Sequence, residues 1–367
     1  MSPRLPFRHM EPTFFSGLLD DPVLYVHVRP LGKGLLFDCG QIHHLAKRVL
    51  KSVEALFITH AHMDHFMGID TLIRNVHVSP RTVDIFGPPG VAQKMAHKLA
   101  GYDWNLTEPY WCSFRVHEVM TDRIRTSVFP GSEGFPPRFV EERERSGRTI
   151  FRNACLQVEA ELCDHKIPAL VFRVTEIPAF LMDEGKIDRA GLVKGDWLRL
   201  LKKRFYNGWQ AEEPLTVIRR TGGAPTEEPV DDACALYEAI RKEEAPASIG
   251  YLTDIGFNEE NLAKVVPLLD GVTLLVSECS FMTEDREKAR ISHHLCADDL
   301  NFLAKRLRPR FLLPMHFSKT YIGRTHLLYE QLEIPPGVTL LRLPEHLAPR
   351  PLLAGEVPKP MGEKSRD

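Results

Sequence analysis

The sequence predicts an α/β layered domain, on two observations. Short apolar strands alternate with segments of helical spacing, and polar residues recur where buried strands end. Gly34 to Phe37 reads as a strand ending in Asp38-Cys39-Gly40. Val53 to Thr59 is mostly apolar and stops at His60. Thr82 to Phe86 is closed by Gly87-Pro88-Pro89-Gly90, after which Val91 to Leu99 reads as a helix. Ile249 to Thr253 ends at Asp254, Val272 to Ser277 at Glu278, and Phe311 to Met315 at His316. Between the last two, Leu300, Leu303, Ala304 and Leu307 have helical spacing. In layered α/β folds the loops after rigid strands carry the chemistry, so Asp38, His60, Asp254, Glu278 and His316 are marked by position alone.

The chain has 367 residues, 43% hydrophobic and 26% charged, with a net charge of −2. That is an ordinary globular balance with no global field for a polyanion, so any nucleic-acid surface has to be local. Seven scattered cysteines, none in a C-x-x-C pair, argue against a disulfide framework or zinc knuckle and fit a reducing cytoplasm. The first 30 residues hold no apolar signal core, and no apolar run is long enough for a membrane span. We expect a single domain over residues 1–345. Residues 119–150, rich in Arg, Glu, Pro and Gly, read as an insertion, and 346–367 as a disordered Pro-rich tail.

The strongest signal is Thr59-His60-Ala61-His62-Met63-Asp64-His65, with three imidazoles and a carboxylate directly after a buried strand. Such ligands suit zinc, and also manganese or iron. Further candidates are His165 after the alternating Leu156 to Leu162, Asp254, and His316. Seven ligands suit two ions: His60, His62 and His165 on one, Asp64, His65 and His316 on the other, with Asp254 bridging. Two cations lower the pKa of a water between them, which provides hydroxide for hydrolysis of an ester-like or phosphodiester bond. His43, His44, His97, His117 and His326 lack a strand-end position and read as surface or core histidines.

H-A-H-M-D-H, the preceding F-D-C-G, I-F-G-P-P-G, and the late L-T-D, S-E-C-S-F and M-H-F-S together resemble the ribonuclease Z-like branch of the metallo-β-lactamase superfamily. The likeness covers roughly residues 34 to 320. It implies an αβ/βα four-layer sandwich of two mixed β-sheets flanked by helices. It also implies two zinc ions on the seven residues above, homodimers, and precursor transfer RNA as substrate. By matching motif it makes His294 the group that protonates the leaving oxygen or holds the scissile phosphate, with His293 as the alternative, Glu278 its orienting carboxylate, and Asp64 catalytic; Ser318 is a candidate substrate contact. Phe14 to Asp21 stands where the family has a G-T-x-x-G-x-P loop, and Leu295 and Cys296 replace a serine and threonine.

The same resemblance places a substrate arm at residues 177–210. There Lys194, Arg199, Lys202, Lys203 and Arg204 face a single Asp196, a local charge of about +4, interleaved with Trp197, Phe205, Tyr206 and Trp209. The cations suit phosphates and the rings suit bases, but the pattern equally fits an amphipathic helix with buried Leu198, Leu201 and Phe205. The expected function is a binuclear zinc phosphodiesterase acting on RNA. The alternatives are hydrolysis of a small substrate (cyclic nucleotide, lactone, thioester or sulfate ester) and a non-catalytic RNA-binding scaffold.

Overall fold

In a computed structural model of the chain, residues 5–177, 179–209, 213–220 and 223–349 are described. They fall into two compact units, one within residues 5–176 and 247–349 and the other within residues 177–246.

The larger unit holds two mixed sheets. The first has eight strands in sequence order: β1 (Met10–Phe14), β2 (Leu24–Val28), β3 (Lys33–Phe37), β4 (Val53–Phe57), β5 (Thr82–Gly87), β6 (Ser113–Val119), β7 (Arg123–Pro130) and β8 (Arg138–Glu144). β3 to β6 run parallel, as expected where helices cross over between strands. In the second sheet, β9 (Thr149–Arg152), β10 (Leu156–Asp164) and β11 (Pro168–Glu176) pair antiparallel. β15 (Ser248–Leu252), β16 (Leu274–Glu278), β17 (Phe311–Met315) and β18 (Thr339–Leu340) continue it in parallel.

Side-chain alternation explains the layers. In β3, Leu35 and Phe37 point to one face and Leu36 to the other, and all three are fully buried. Leu35, Phe37, Ala55 and Phe57 meet Leu170, Phe172, Tyr251 and Val276 between the sheets. On the outer face of the first sheet, Leu36, Leu56 and Ile85 pack under α1 (Lys47–Ser52), α3 (Ile69–Val76) and α4 (Val91–Ala100). On the outer face of the second, Leu252, Leu275 and Leu312 pack under α8 (Glu259–Leu269), α10 (Ala297–Leu307) and α11 (His326–Gln331). The order helix, sheet, sheet, helix is the expected four-layer sandwich.

Residues 119–150, expected as an insertion, form β7, β8 and the start of β9, within the ladders of both sheets. Their charge misleads because β7 buries only one face, with Ile124 and Thr126 inward and Arg123 and Arg125 outward, while β8 is exposed along its whole length. Residues 346–348, expected as the start of a tail, are anchored. Asp20 accepts the backbone N–H of Leu347 and Ala348 and a ring N–H of His346. Residues 350–367 lie outside the described residues.

The second unit corrects the single-domain expectation, since the arm read at 177–210 is only part of it. It holds α5 (Glu184–Arg189), β12 (Leu192–Val193), α6 (Trp197–Tyr206), β13 (Leu215–Arg219), β14 (Thr226–Val230) and α7 (Ala233–Ile240). Its own core contains Ile187, Trp197, Leu201, Val217, Tyr237 and Ile240, with Phe205 and Trp209 packed against Tyr237. No described helix is long and apolar enough to cross a membrane.

One close backbone approach prepares the site. The Asp38-Cys39-Gly40 turn after β3 lies against the loop carrying His60 to His65 and its short helix α2 (Met63–Phe66). Cys39 N–H donates to His65 O at 2.8 Å, and Gly68 N–H to Cys39 O at 2.7 Å. A methyl group on Gly68 would meet the carbonyl oxygens of Cys39 and Gly40 well inside van der Waals contact. Gly68 has ordinary right-handed torsions, so Gly68→Ala isolates this clash. It is expected to cost about 1–3 kcal/mol in denaturant unfolding; an unchanged midpoint would contradict the close packing.

Candidate metal centre

Three strand-end residues leave their sheets in left-handed backbone: Asp38 after β3 (φ 53°), Asp254 after β15 (φ 50°) and His316 after β17 (φ 55°). Non-glycine residues adopt this region rarely and at a cost, and such outliers concentrate at functional sites. Here the turn directs each side chain into one cluster at the strand ends. His60 enters from the loop after β4, and His165 from the β10–β11 hairpin.

All seven candidate ligands come together. One atom each of His60, His62, His165 and Asp254 lie within 4.8 Å of one another, as do atoms of Asp64, His65 and His316. Asp254, 2% exposed, links the groups. Its Oδ2 lies 3.6 Å from His60 Nε2, 3.2 Å from His65 Nε2 and 3.8 Å from His165 Nε2, and its Oδ1 lies 2.9 Å from His316 Nδ1. His316 Nε2 is 3.2 Å from Asp64 Oδ2. Two donor atoms each about 2.1 Å from one ion at a tetrahedral angle stand about 3.4 Å apart, so these spacings match atoms that share an ion. His65 Nε2 is the second sign of fit, because it is buried and has no hydrogen-bond partner among the described residues. A polar nitrogen left so is costly, and a cation removes the cost. The donor set therefore suits a divalent metal.

In the absence of cations, protons take that role. Burial holds His60 down to about 2, aided by the charge of His65, and burial likewise lowers His165. Burial also opposes charge on His65 and His316, but Asp254 outweighs it in both. His65, with help from Asp38, lies well above the ordinary imidazole range, and His316 is pushed up to about 10. Burial would raise Asp64 and Asp254, but neighbouring imidazolium groups hold both below the usual carboxylate range.

The partners behind the cluster include residues not read from sequence as site residues. Asp38, fully buried, accepts from His65 Nδ1 at 2.9 Å, from Thr59 N–H at 2.8 Å and from Tyr251 O–H at 3.1 Å. It fixes the tautomer that turns His65 Nε2 inward. Its strand-end position was the available signal. His165 Nδ1 donates to the backbone oxygen of His293 at 2.7 Å, and His293 is left-handed (φ 56°) at the end of α9 (Arg286–Ser292). Nothing in the sequence pattern marked that carbonyl.

His294 lies beside the cluster, its Nδ1 3.0 Å from Glu278 Oε2 and 3.7 Å from Asp254 Oδ1. Glu278 is fully buried and also accepts from Ser280 O–H and from the Ile255 and Leu295 N–H groups, which lock its orientation. Burial works against protonating His294, but the Glu278 carboxylate outweighs it and raises the imidazole above its ordinary value. A cleft of about 310 Å³ opens next to Asp64, His294 and His316, and Ser318 lines it.

The basic residues of α6 belong to the second unit. Arg199, Lys202 and Lys203 are exposed at i, i+3 and i+4 spacing; Lys194 pairs with Glu184 at 2.6 Å, and Arg204 donates to Glu213 O at 2.7 Å. Trp197, Phe205 and Trp209 serve that unit's core and are not free stacking faces. His117 is a structural histidine, bonded to Thr126 and Asp84, as its position predicts.

Residues 35–158 match the beta-lactamase superfamily domain. With the sandwich and the His/Asp cluster, this makes the chain a metal-dependent hydrolase of the metallo-β-lactamase fold. It is 33% identical over 297 residues to ribonuclease Z of Deinococcus radiodurans, covering 79% of this chain and 85% of that one. It is 26% identical over 317 residues to ribonuclease Z of Gloeothece citriformis, covering 83% of each. The crystal structure of the short form of human tRNase Z aligns with a TM-score of 0.49 at 17% identity, over 90% of this chain and 96% of that one. The chain belongs to the ribonuclease Z family.

His65 and His316 have to release their protons before they can ligate, so metal uptake is expected to displace about two protons at neutral pH. Metal affinity then rises with pH. Conversely, the stabilisation from the raised pKa of His316 in the metal-free protein is complete below its unfolded value. It fades as pH climbs through about 10. Calorimetric metal titration in buffers of different ionisation heat measures the proton count; an affinity independent of pH between about 6 and 8 would contradict this assignment. Asp38→Ala is expected to weaken metal binding roughly 10- to 100-fold in chelator competition.

Proposed function

We propose that this chain is an RNA endonuclease that processes the 3′ end of precursor transfer RNA, with two zinc ions on the seven candidate ligands. The observation that carries the reading is His294, held by Glu278 at 3.0 Å beside Asp254 and His316 and outside the groupings of His60, His62 and His165 and of Asp64, His65 and His316. When bound, the ions lower the pKa of the attacking water and neutralise charge on the phosphate oxygens. The protein's own groups do the rest. Water adds to phosphorus as the bond from phosphorus to the ribose oxygen breaks. Glu278 engages Nδ1 of His294, so Nε2 is the atom that gives its proton to that poor leaving group. Ribonuclease Z relatives support RNA as the substrate. The exposed cations Arg199, Lys202 and Lys203 on α6 supply a local positive surface suited to phosphates. The complete set of seven candidate ligands, with His60, His65, His165 and Asp254 buried, argues against a non-catalytic scaffold. Seven free cysteines suit a reducing cytoplasm as its setting.

Two variants test the reading. His294→Ala is expected to keep its metal and to lose roughly 10²- to 10⁴-fold in rate on precursor transfer RNA. It should lose much less on bis(p-nitrophenyl) phosphate, whose nitrophenolate leaves unaided. Loss of metal would make His294 a ligand, and equal losses on both substrates would make it a phosphate-binding group. Lys202→Ala with Lys203→Ala should weaken RNA binding and reduce the slope of log affinity against log salt by about one unit per lost contact. Wild-type salt dependence in that variant would assign the helix to structure alone.

A further inference from the structure

The cleft of about 310 Å³ beside His294 has the capacity of one nucleotide unit, not of a duplex. Phe281, Ser280 and Ser318 line it, and so do three carboxylates, Asp20, Asp21 and Asp64. Each carboxylate is already engaged. Asp20 accepts the N–H groups of Gly17, Leu347 and Ala348 as well as His346. Asp64 faces His316, and Asp21, itself buried, lies 3.4 Å from Lys319 Nζ. Lys319 is the only lysine or arginine among the lining residues. Its backbone is anchored, because Lys319 to Tyr321 form a tight turn capped by Ser318, and Tyr321 stacks on Phe317 with ring centroids 4.6 Å apart. Its side chain is 65% exposed and makes that one long contact, so the ammonium keeps donors for a second anion.

We propose that this cleft is the subsite for the nucleotide bearing the leaving oxygen, and that Lys319 binds that nucleotide's 5′-phosphate. The inference rests on the endonuclease reading above. If His294 protonates the departing oxygen, the sugar attached to that oxygen lies at the cleft His294 borders. With the 3′-oxygen as the leaving atom, the 5′-phosphate of the same nucleotide is the next anion along the strand after the scissile phosphate, and Lys319 is the cation there to meet it. Phe281, its ring centroid 6.0 Å from that of His294, offers a face for the base.

A 5′-phosphorylated dinucleotide and its 5′-hydroxyl counterpart provide the test. The wild-type enzyme is expected to favour the phosphorylated dinucleotide in kcat/KM by roughly tenfold or more, the range of a hydrogen bond to a charged group. In Lys319→Ala the ratio should fall towards one, and Lys319→Arg should restore most of it. A nucleoside 5′-monophosphate, the smallest mimic of the released end, should inhibit wild type more strongly than Lys319→Ala. Cleavage of both dinucleotides without discrimination, or the full ratio and inhibition persisting in Lys319→Ala, would overturn the proposal alone. Turnover of bis(p-nitrophenyl) phosphate with precursor transfer RNA left uncleaved would overturn the endonuclease reading and the subsite together.

Discussion

Asp254 presents a buried carboxylate to five imidazoles, those of His60, His65, His165, His294 and His316, all within 3.8 Å. Burying one such charge is expensive, and crowding five titratable rings around it is stable only when positive charge is shared among them. Protons meet that demand in part, since they remain on His65 and His316. They leave His65 Nε2 in a long, poorly aligned contact with Asp254 Oδ2 at 3.2 Å. Divalent cations would meet it more completely, because each is shared by several donors at once. The arrangement is thus built for cations, and chain elements far apart in sequence are positioned to maintain it.

The two sheets supply opposite halves of the cluster. His60 to His65 follow β4 of the first sheet, while His165, Asp254, Glu278 and His316 lie at the ends of strands in the second. Their separation is set by the apolar layer between the sheets. In that layer Phe37 stacks on Phe57 at 4.9 Å and lies against Phe172 and Tyr251 at 5.7 Å. Tyr251 also crosses the layer with its hydroxyl to donate to Asp38, which holds His65. A core contact and a ligand contact therefore meet in one residue, and the dry layer beneath the site strengthens every charge interaction above it.

The parts of this arrangement legible in sequence were those with a local or periodic signature. His60 to His65 are adjacent, and Asp254, Glu278 and His316 each end an apolar run, so one rule found them all. His293 was invisible as a support because it acts through its backbone oxygen, whose position depends on a left-handed turn. Asp38 obeyed the strand-end rule, but its role as the partner of His65 depends on a neighbour from another strand. The strands of the β7 to β9 region were not legible for a physical reason: β8 is exposed on both faces, so burial imposes no apolar alternation on it. The 177–246 unit was cut short because its core joins Trp197 and Leu201 to Tyr237 and Ile240, across a gap that helical spacing cannot bridge.

In the function proposed above, Asp254 organises a two-cation centre. Crystals of protein saturated with zinc and measured at wavelengths on either side of the zinc absorption edge would test it most directly. The account expects two anomalous peaks per chain, one near His60, His62 and His165 and the other near Asp64, His65 and His316, with the Asp254 carboxylate between them. A single peak remote from Asp254, or none under saturating metal, would contradict it.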